Sequence, residues 1–193
     1  MKTLSYLPDD YRELCAIDLE KNKRSALYIN LLGVLITLVM AIVMNTIIPL
    51  SSLFEGDVGV GSLLLRIVVL AVLLVGYIVL HDLTHGFAMK LCGARKVVYG
   101  FSGMYAFAGC HDFFSKNVYL IISLAPVVFW GIIINIVCFL VPSTWFWIFY
   151  IIQIANIAGS AGDYYVIFHF LFLPDDILVY DTGTAMTIYS AQK

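Results

Sequence analysis

Hydrophobic residues run along this chain in long unbroken blocks, without the short-period alternation of a soluble fold. No Asp, Glu, Lys or Arg occurs between Arg24 and Glu55, or between Lys116 and Asp163. Each stretch exceeds the roughly 20 apolar residues that cross a bilayer. Interruptions in the blocks predict four spans, at 26–50, 62–91, 118–141 and 145–173. The first ends at Ile47-Ile48-Pro49-Leu50, Gly93 stops the second, and Pro142-Ser143-Thr144 separates the last two. Between spans two and three, Val97 to Phe114 mixes β-favouring residues with Gly and Ser, a pattern of paired strands. The expected fold is therefore all-α and membrane-spanning, with about four transmembrane helices and a short β-like hairpin between the second and third. Residues 1–25 read as a cytoplasmic N-terminal segment, 26–175 as the membrane domain and 176–193 as a cytoplasmic tail.

Composition agrees with that division and excludes an ordinary soluble domain. Of 193 residues, 62% are hydrophobic and 12% charged, and the mean hydropathy is +0.95. Basic residues fall before span one (Lys2, Arg12, Lys21, Lys23, Arg24) and around the segment joining spans two and three (Lys90, Arg95, Lys96, Lys116). By the positive-inside rule, both termini and that segment face the cytoplasm. Arg66, near the outer end of span two, is expected to snorkel to the headgroups. Trp145, Trp147 and Tyr150 read as an outer aromatic belt. His111-Asp112 reads as a solvated loop with Phe113 and Phe114 as interfacial anchors.

The polar N-terminus lacks the form of a cleaved signal peptide. Cys15, Cys92, Cys110 and Cys138 show no metal-site spacing and are expected as free thiols. The net charge of -2 gives no reason to expect a nucleic-acid partner.

Candidate chemistry concentrates at His81-Asp82-Leu83-Thr84-His85, which closes the uncharged run Ile67 to Leu80. Histidines at i and i+4 project from one helix face, the spacing needed by two imidazole ligands of one metal ion. Asp82 stands where a zinc peptidase carries its general base, although Asp is one methylene shorter than the usual Glu. A catalytic zinc needs a third protein ligand, and Asp163 is the candidate because an intramembrane carboxylate requires a function. Counted from the outer ends of spans two and four, His81 and Asp163 lie at similar depth, about 27 to 29 Å at about 1.5 Å per residue. Asn156 returns to the face of Asp163 and is a candidate for contacting substrate, an oxyanion or a ligand carboxylate. Asn135 reads as packing, and His169 faces away from Asp163.

His-Asp-Leu-Thr-His-Gly-Phe-Ala-Met-Lys-Leu, the Tyr/Phe/Gly-rich segment after it, Leu-Ala-Pro at 124–126 and Asn-Ile-Ala-Gly-Ser-Ala-Gly-Asp at 156–163 carry a resemblance. Over roughly residues 62–175 the chain resembles the small bacterial zincin membrane peptidases, distant relatives of the site-2 intramembrane metalloproteases. The resemblance implies Zn²⁺ held by His81, His85 and Asp163 on the cytoplasmic side, with the general base at Asp82. It also implies a strand edge around Tyr99 to Phe107 that receives an unfolded substrate.

The expected protein is thus a zinc-dependent endopeptidase of the bacterial plasma membrane. It would cleave a membrane or membrane-proximal protein in or near the cytoplasmic side of the bilayer. The alternative is a catalytically impaired metal-binding membrane protein that binds or regulates a partner. Substrate identity and oligomeric state are not legible in the sequence.

Overall fold

A computed structural model describes residues 3–18, 22–55, 59–101, 106–183 and 185–191. It contains four helical stretches long and apolar enough to cross a membrane. They are α1 (Lys23–Ile47), α2 (Val60–Leu91), α3 (Lys116–Leu140) and Ser143–Leu171, the last made of α4 (Ser143–Gly159) and α5 (Ala161–Leu171). Within an uncharged block a helix pairs every backbone group internally, which an apolar solvent requires. Leu31, Leu38, Val72, Val75 and Phe139 are each more than half exposed, a surface suited to lipid and costly in water. As expected, Gly93 ends α2. At φ 99° it adopts the left-handed conformation, and the Gly93 and Ala94 amides return to the Lys90 and Met89 carbonyls at 3.0 and 2.9 Å.

The class is not all-α, because the chain also builds β-structure beyond the expected hairpin. That hairpin is present as β3 (Val97–Phe101) paired antiparallel with β4 (Ala106–Cys110). Its turn, residues 102–105, lies outside the described residues, as do Lys2 and Lys21 of the basic N-terminal set. A second, five-stranded antiparallel sheet combines β1 (Thr3–Leu4), β2 (Tyr11–Ile17), β5 (Phe113–Ser115), β6 (Leu178–Asp181) and β7 (Met186–Ala191). Its order is β1-β5-β6-β7-β2. β1, β5 and β6, of two to four residues, are too short to display a readable period, and the β1–β5, β5–β6 and β2–β7 pairings join segments far apart in sequence.

Two compact units make up the chain. The first comprises Met1–Ile29, Asp82–Pro126 and Gly162–Lys193. Its core is sealed by Phe114, Phe170, Val179 and Ile188, all at 0% exposure. Phe114 is thus a core residue and not an interfacial anchor, because pairing of β5 with β6 turns it inward. Asp112 is not solvated either. It is buried and accepts hydrogen bonds from the Arg95 amide at 2.7 Å and Nε at 2.8 Å, which compensate its desolvation. His111 remains exposed, with Nδ1 2.7 Å from the Tyr180 hydroxyl.

The second unit comprises Asn30–His81 and Val127–Ala161, around a core that includes Tyr77, Phe146, Trp147, Tyr150 and Ile154. Trp147 and Tyr150 belong to this core, not to an outer belt. Trp147 Nε1 donates to the Ile48 carbonyl at 3.1 Å, and the Tyr150 hydroxyl to that of Met40 at 3.3 Å. Arg66 is also drawn inward. Its guanidinium donates to the Leu53 carbonyl and lies 5.8 Å from the Trp145 ring centroid, so it does not reach outward for headgroups.

In the first unit, β4 runs against the turn between β6 and β7 at Gly109. A Cβ there would stand 2.3 Å from the Thr182 carbonyl carbon and 2.4 Å from its oxygen. Backbone cannot yield as a side-chain tip can, so Gly109→Ala should destabilise the unit by about 1–3 kcal/mol. A lower thermal midpoint by circular dichroism in detergent would register the loss, and an unchanged midpoint would contradict the packing.

Candidate metal centre

His81, Asp82 and His85 lie on α2, whose uncharged run of Val, Leu and Ile continues into the motif without a helix breaker. Because the helix is unbroken from His81 to His85, one turn of backbone sets the two imidazoles on the same face. Asp163 lies in the first turn of α5. The sequence places it inside a continuous fourth span, but the helix is interrupted at Ser160, whose hydroxyl donates to the Asn156 carbonyl at 2.8 Å. The interruption puts Asp163 at a helix N-terminus, where the backbone dipole favours a carboxylate.

His85 Nε2 and Asp163 Oδ1 are 3.5 Å apart, with side-chain exposures of 15% and 22%. That separation exceeds the roughly 2.7–2.9 Å of a charge-assisted hydrogen bond. It matches two ligands on tetrahedral zinc, since bonds of about 2.0–2.2 Å hold their outer atoms about 3.3–3.5 Å apart. One potential ligand atom from each of His81, His85 and Asp163 lies within 4.8 Å of the other two. The donor set of two imidazoles and one carboxylate fits zinc.

Hydrogen bonds at the far side of each ring identify the nitrogen left for a metal. His85 Nδ1 lies 3.1 Å from the Ile122 carbonyl oxygen. A carbonyl only accepts, so Nδ1 donates there and Nε2 is the nitrogen that faces Asp163. Pro126 explains why that carbonyl is open: proline has no amide hydrogen and so cannot supply the usual helical bond to Ile122, four residues earlier in α3.

A longer chain of hydrogen bonds orients His81. Asn156 Nδ2 donates to the Val127 carbonyl at 3.1 Å, which directs its Oδ1 to receive the Tyr77 hydroxyl proton at 2.8 Å. With its proton committed there, the Tyr77 oxygen accepts from His81 Nδ1 at 2.8 Å. In His81, as in His85, Nδ1 is thus the nitrogen that the surrounding chain holds, and Nε2 is the one that would bind a metal. Fixing a ring through its second nitrogen sets both tautomer and ligand direction.

Asp82 is half-buried and adjoins His81 in the same helical turn. Asn156 is fully buried, and both ends of its carboxamide are engaged in the Tyr77 chain. His169 lies elsewhere, stacked on Tyr165 with Nε2 4.0 Å from Cys15 Sγ. All four cysteines are free. On the hairpin, the Tyr99 hydroxyl rests on Gly86, the residue after His85, 2.1 Å from where a Cβ would stand.

A second buried carboxylate, Asp181, receives the Tyr119 hydroxyl and the Gly183 amide. Burial pushes its carboxyl above the usual range against the effect of those bonds. The sequence reading did not identify Tyr77, Ile122 or Pro126 as positioning residues. Tyr77 precedes His81 by one turn, and a proline inside an apolar helix signals a freed carbonyl; these were the available clues.

Comparison with curated proteins and with solved structures gave no match. Residues 74–178 match a family model described as "Putative zincin peptidase", and that stretch includes His81, Asp82, His85, Asn156 and Asp163. With more than half of its length matched, the chain belongs to this zincin peptidase family.

Proposed function

We propose that the protein is a zinc-dependent membrane endopeptidase that hydrolyses a peptide bond in or near the cytoplasmic side of the bilayer. The observation that carries this reading is the meeting of His81, His85 and Asp163 within 4.8 Å, with Nδ1 of each histidine held from behind, by the Tyr77 hydroxyl and by the Ile122 carbonyl. Zinc bound by these three residues would polarise the scissile carbonyl and bring the pKa of its water to roughly 7. Asp82 would take the proton of the attacking water on its carboxylate and return it to the leaving nitrogen. Tyr77 and the Ile122 carbonyl hold the rings in register throughout.

The distribution of basic residues supports a cytoplasmic location for both termini and the hairpin. Among the described residues β3 pairs only with β4. Its other edge supports main-chain pairing with an extended membrane-proximal substrate.

Purified protein should contain about one zinc per chain by elemental analysis. His81→Ala and Asp163→Ala should each lose it, and undiminished zinc in both would overturn the centre. Asp82→Glu should retain zinc and cleave a membrane-tethered unfolded substrate at an equal or higher rate, because Glu reaches further toward the water. A clear loss would show that the shorter base is adapted to this site. If the wild type holds zinc but cleaves no membrane substrate, and Asp82→Ala leaves its cellular effect unchanged, the protein is instead a metal-stabilised partner-binding protein.

Tyr77→Phe removes the acceptor for His81. Pro126→Ala supplies an amide that competes with His85 for the Ile122 carbonyl. Each should weaken zinc binding by about tenfold in a chelator competition while leaving the folded protein intact. For Pro126→Ala the loss should accompany a more regular helix, a combination that general destabilisation would not produce.

A further inference from the structure

Tyr99 on β3 is half-exposed, yet the polar end of its ring turns inward. A Cβ on Gly86 would stand 2.1 Å from the Tyr99 hydroxyl oxygen, 2.5 Å from Cζ and 2.6 Å from Cε1, so the hydroxyl is the part pressed closest to α2. A tyrosine at a wet surface ordinarily lays its ring on apolar neighbours and leaves its hydroxyl in water. Here the hydroxyl lies against helix backbone, an approach that only glycine admits. Val97, two residues earlier on the same side of β3, packs against the core of the first unit, so the strand directs this side inward. The hairpin that carries Tyr99 is itself pinned. The Phe107 ring covers Gly183, where a Cβ would stand 2.2 Å from Cδ2, and Gly109 rests on the Thr182 backbone.

Gly86 follows Asp82 by four residues. At about 100° per residue, the two positions lie about 40° apart on α2, on the flank beside the face that carries His81 and His85. Helical Cβ bonds tilt toward the N-terminus, so the place left open at Gly86 looks back toward Asp82. Cβ atoms four residues apart are about 5–6 Å from each other, which sets the Tyr99 hydroxyl about 3–8 Å from Asp82 Cβ. A base and a hydroxyl donor spaced in this way can reach two atoms of one reacting peptide group. As the water oxygen bonds to the carbonyl carbon, its proton passes to Asp82 and the carbonyl π electrons move onto the carbonyl oxygen. That oxygen gains the charge which a positioned donor stabilises.

We infer that Tyr99 is a further catalytic residue, whose hydroxyl donates a hydrogen bond to the scissile carbonyl oxygen as it becomes an oxyanion. The inference rests on the proposed reading of the protein as a peptidase and adds the group that meets the developing charge. Tyr99 keeps its own proton throughout. Because β3 also carries the edge read above as pairing with the substrate, one strand brings both the extended segment and the donor to the flank of Asp82.

The test uses the full-length, zinc-loaded protein in detergent and the variant Tyr99→Phe, which keeps the ring on Gly86 and removes only the donor. Zinc content and thermal midpoint should match wild type. With a membrane-tethered unfolded substrate, KM should stay within about twofold and kcat should fall about 100-fold, the loss expected for one oxyanion donor. A second readout needs no turnover. An N-acetyl-Leu-Leu phosphinic peptide, in which a tetrahedral anionic phosphinate replaces the peptide bond, should bind about tenfold more weakly to Tyr99→Phe by calorimetry, as expected for a lost hydrogen bond to a charged group.

An unchanged kcat or an undiminished affinity for the phosphinic peptide would overturn the inference and leave the peptidase reading standing. Lost zinc, a lower midpoint or an effect confined to KM would also overturn it, since each assigns Tyr99 to structure or to ground-state binding. A wild-type protein that holds zinc but neither cleaves the substrate nor binds the phosphinic peptide refutes the peptidase reading itself, and the inference with it.

Discussion

Both histidine orientations depend on backbone carbonyls that can only accept a hydrogen bond. The Ile122 carbonyl takes the His85 Nδ1 proton directly. That of Val127 acts at a distance, through the Asn156 amide and the Tyr77 hydroxyl, to take the one on His81. If either hydrogen-bond direction were reversed, a proton would occupy the nitrogen needed for the metal. An isolated imidazole has two tautomers; here the surrounding chain admits one for each ring.

This requirement gives a purpose to features that would be defects in an ordinary membrane helix. Proline within α3 costs a helical bond, yet the freed carbonyl is the one that His85 uses. The break between α4 and α5 interrupts a potential span, yet it brings Asp163 to the positive end of a helix. Asn156 would be costly in an apolar interior, and its buried amide is satisfied at both ends. Stability of regular structure is given up locally where the candidate metal centre needs a particular atom to face it.

Several parts of the protein were legible because their signal is local or compositional. Long uncharged blocks mark the four membrane-length helices, and Gly93 marks the end of α2. The i, i+4 histidines share a face by helix geometry alone. The hairpin after α2 announces itself through β-favouring residues and glycine. Other readings failed where local character was misleading. Phe114, Trp147 and Tyr150 have the amphipathic or aromatic character of interfacial residues, but β-pairing and carbonyl hydrogen bonds draw them into cores. Arg66 found a carbonyl and an aromatic ring within the fold, which relieve the need to reach lipid headgroups.

By itself the sequence determined which segments are apolar enough to cross a membrane, which residue types could bind zinc, and that His81 and His85 lie one turn apart. These properties follow from composition and from the fixed period of a helix. Only the tertiary structure decided that the chain's ends join a five-stranded sheet, that Asp163 approaches His85 at 3.5 Å, and which nitrogen of each ring is held by a partner outside the motif. Strand pairing, ligand spacing and hydrogen-bond direction depend on groups distant in sequence, whose meeting no local period encodes.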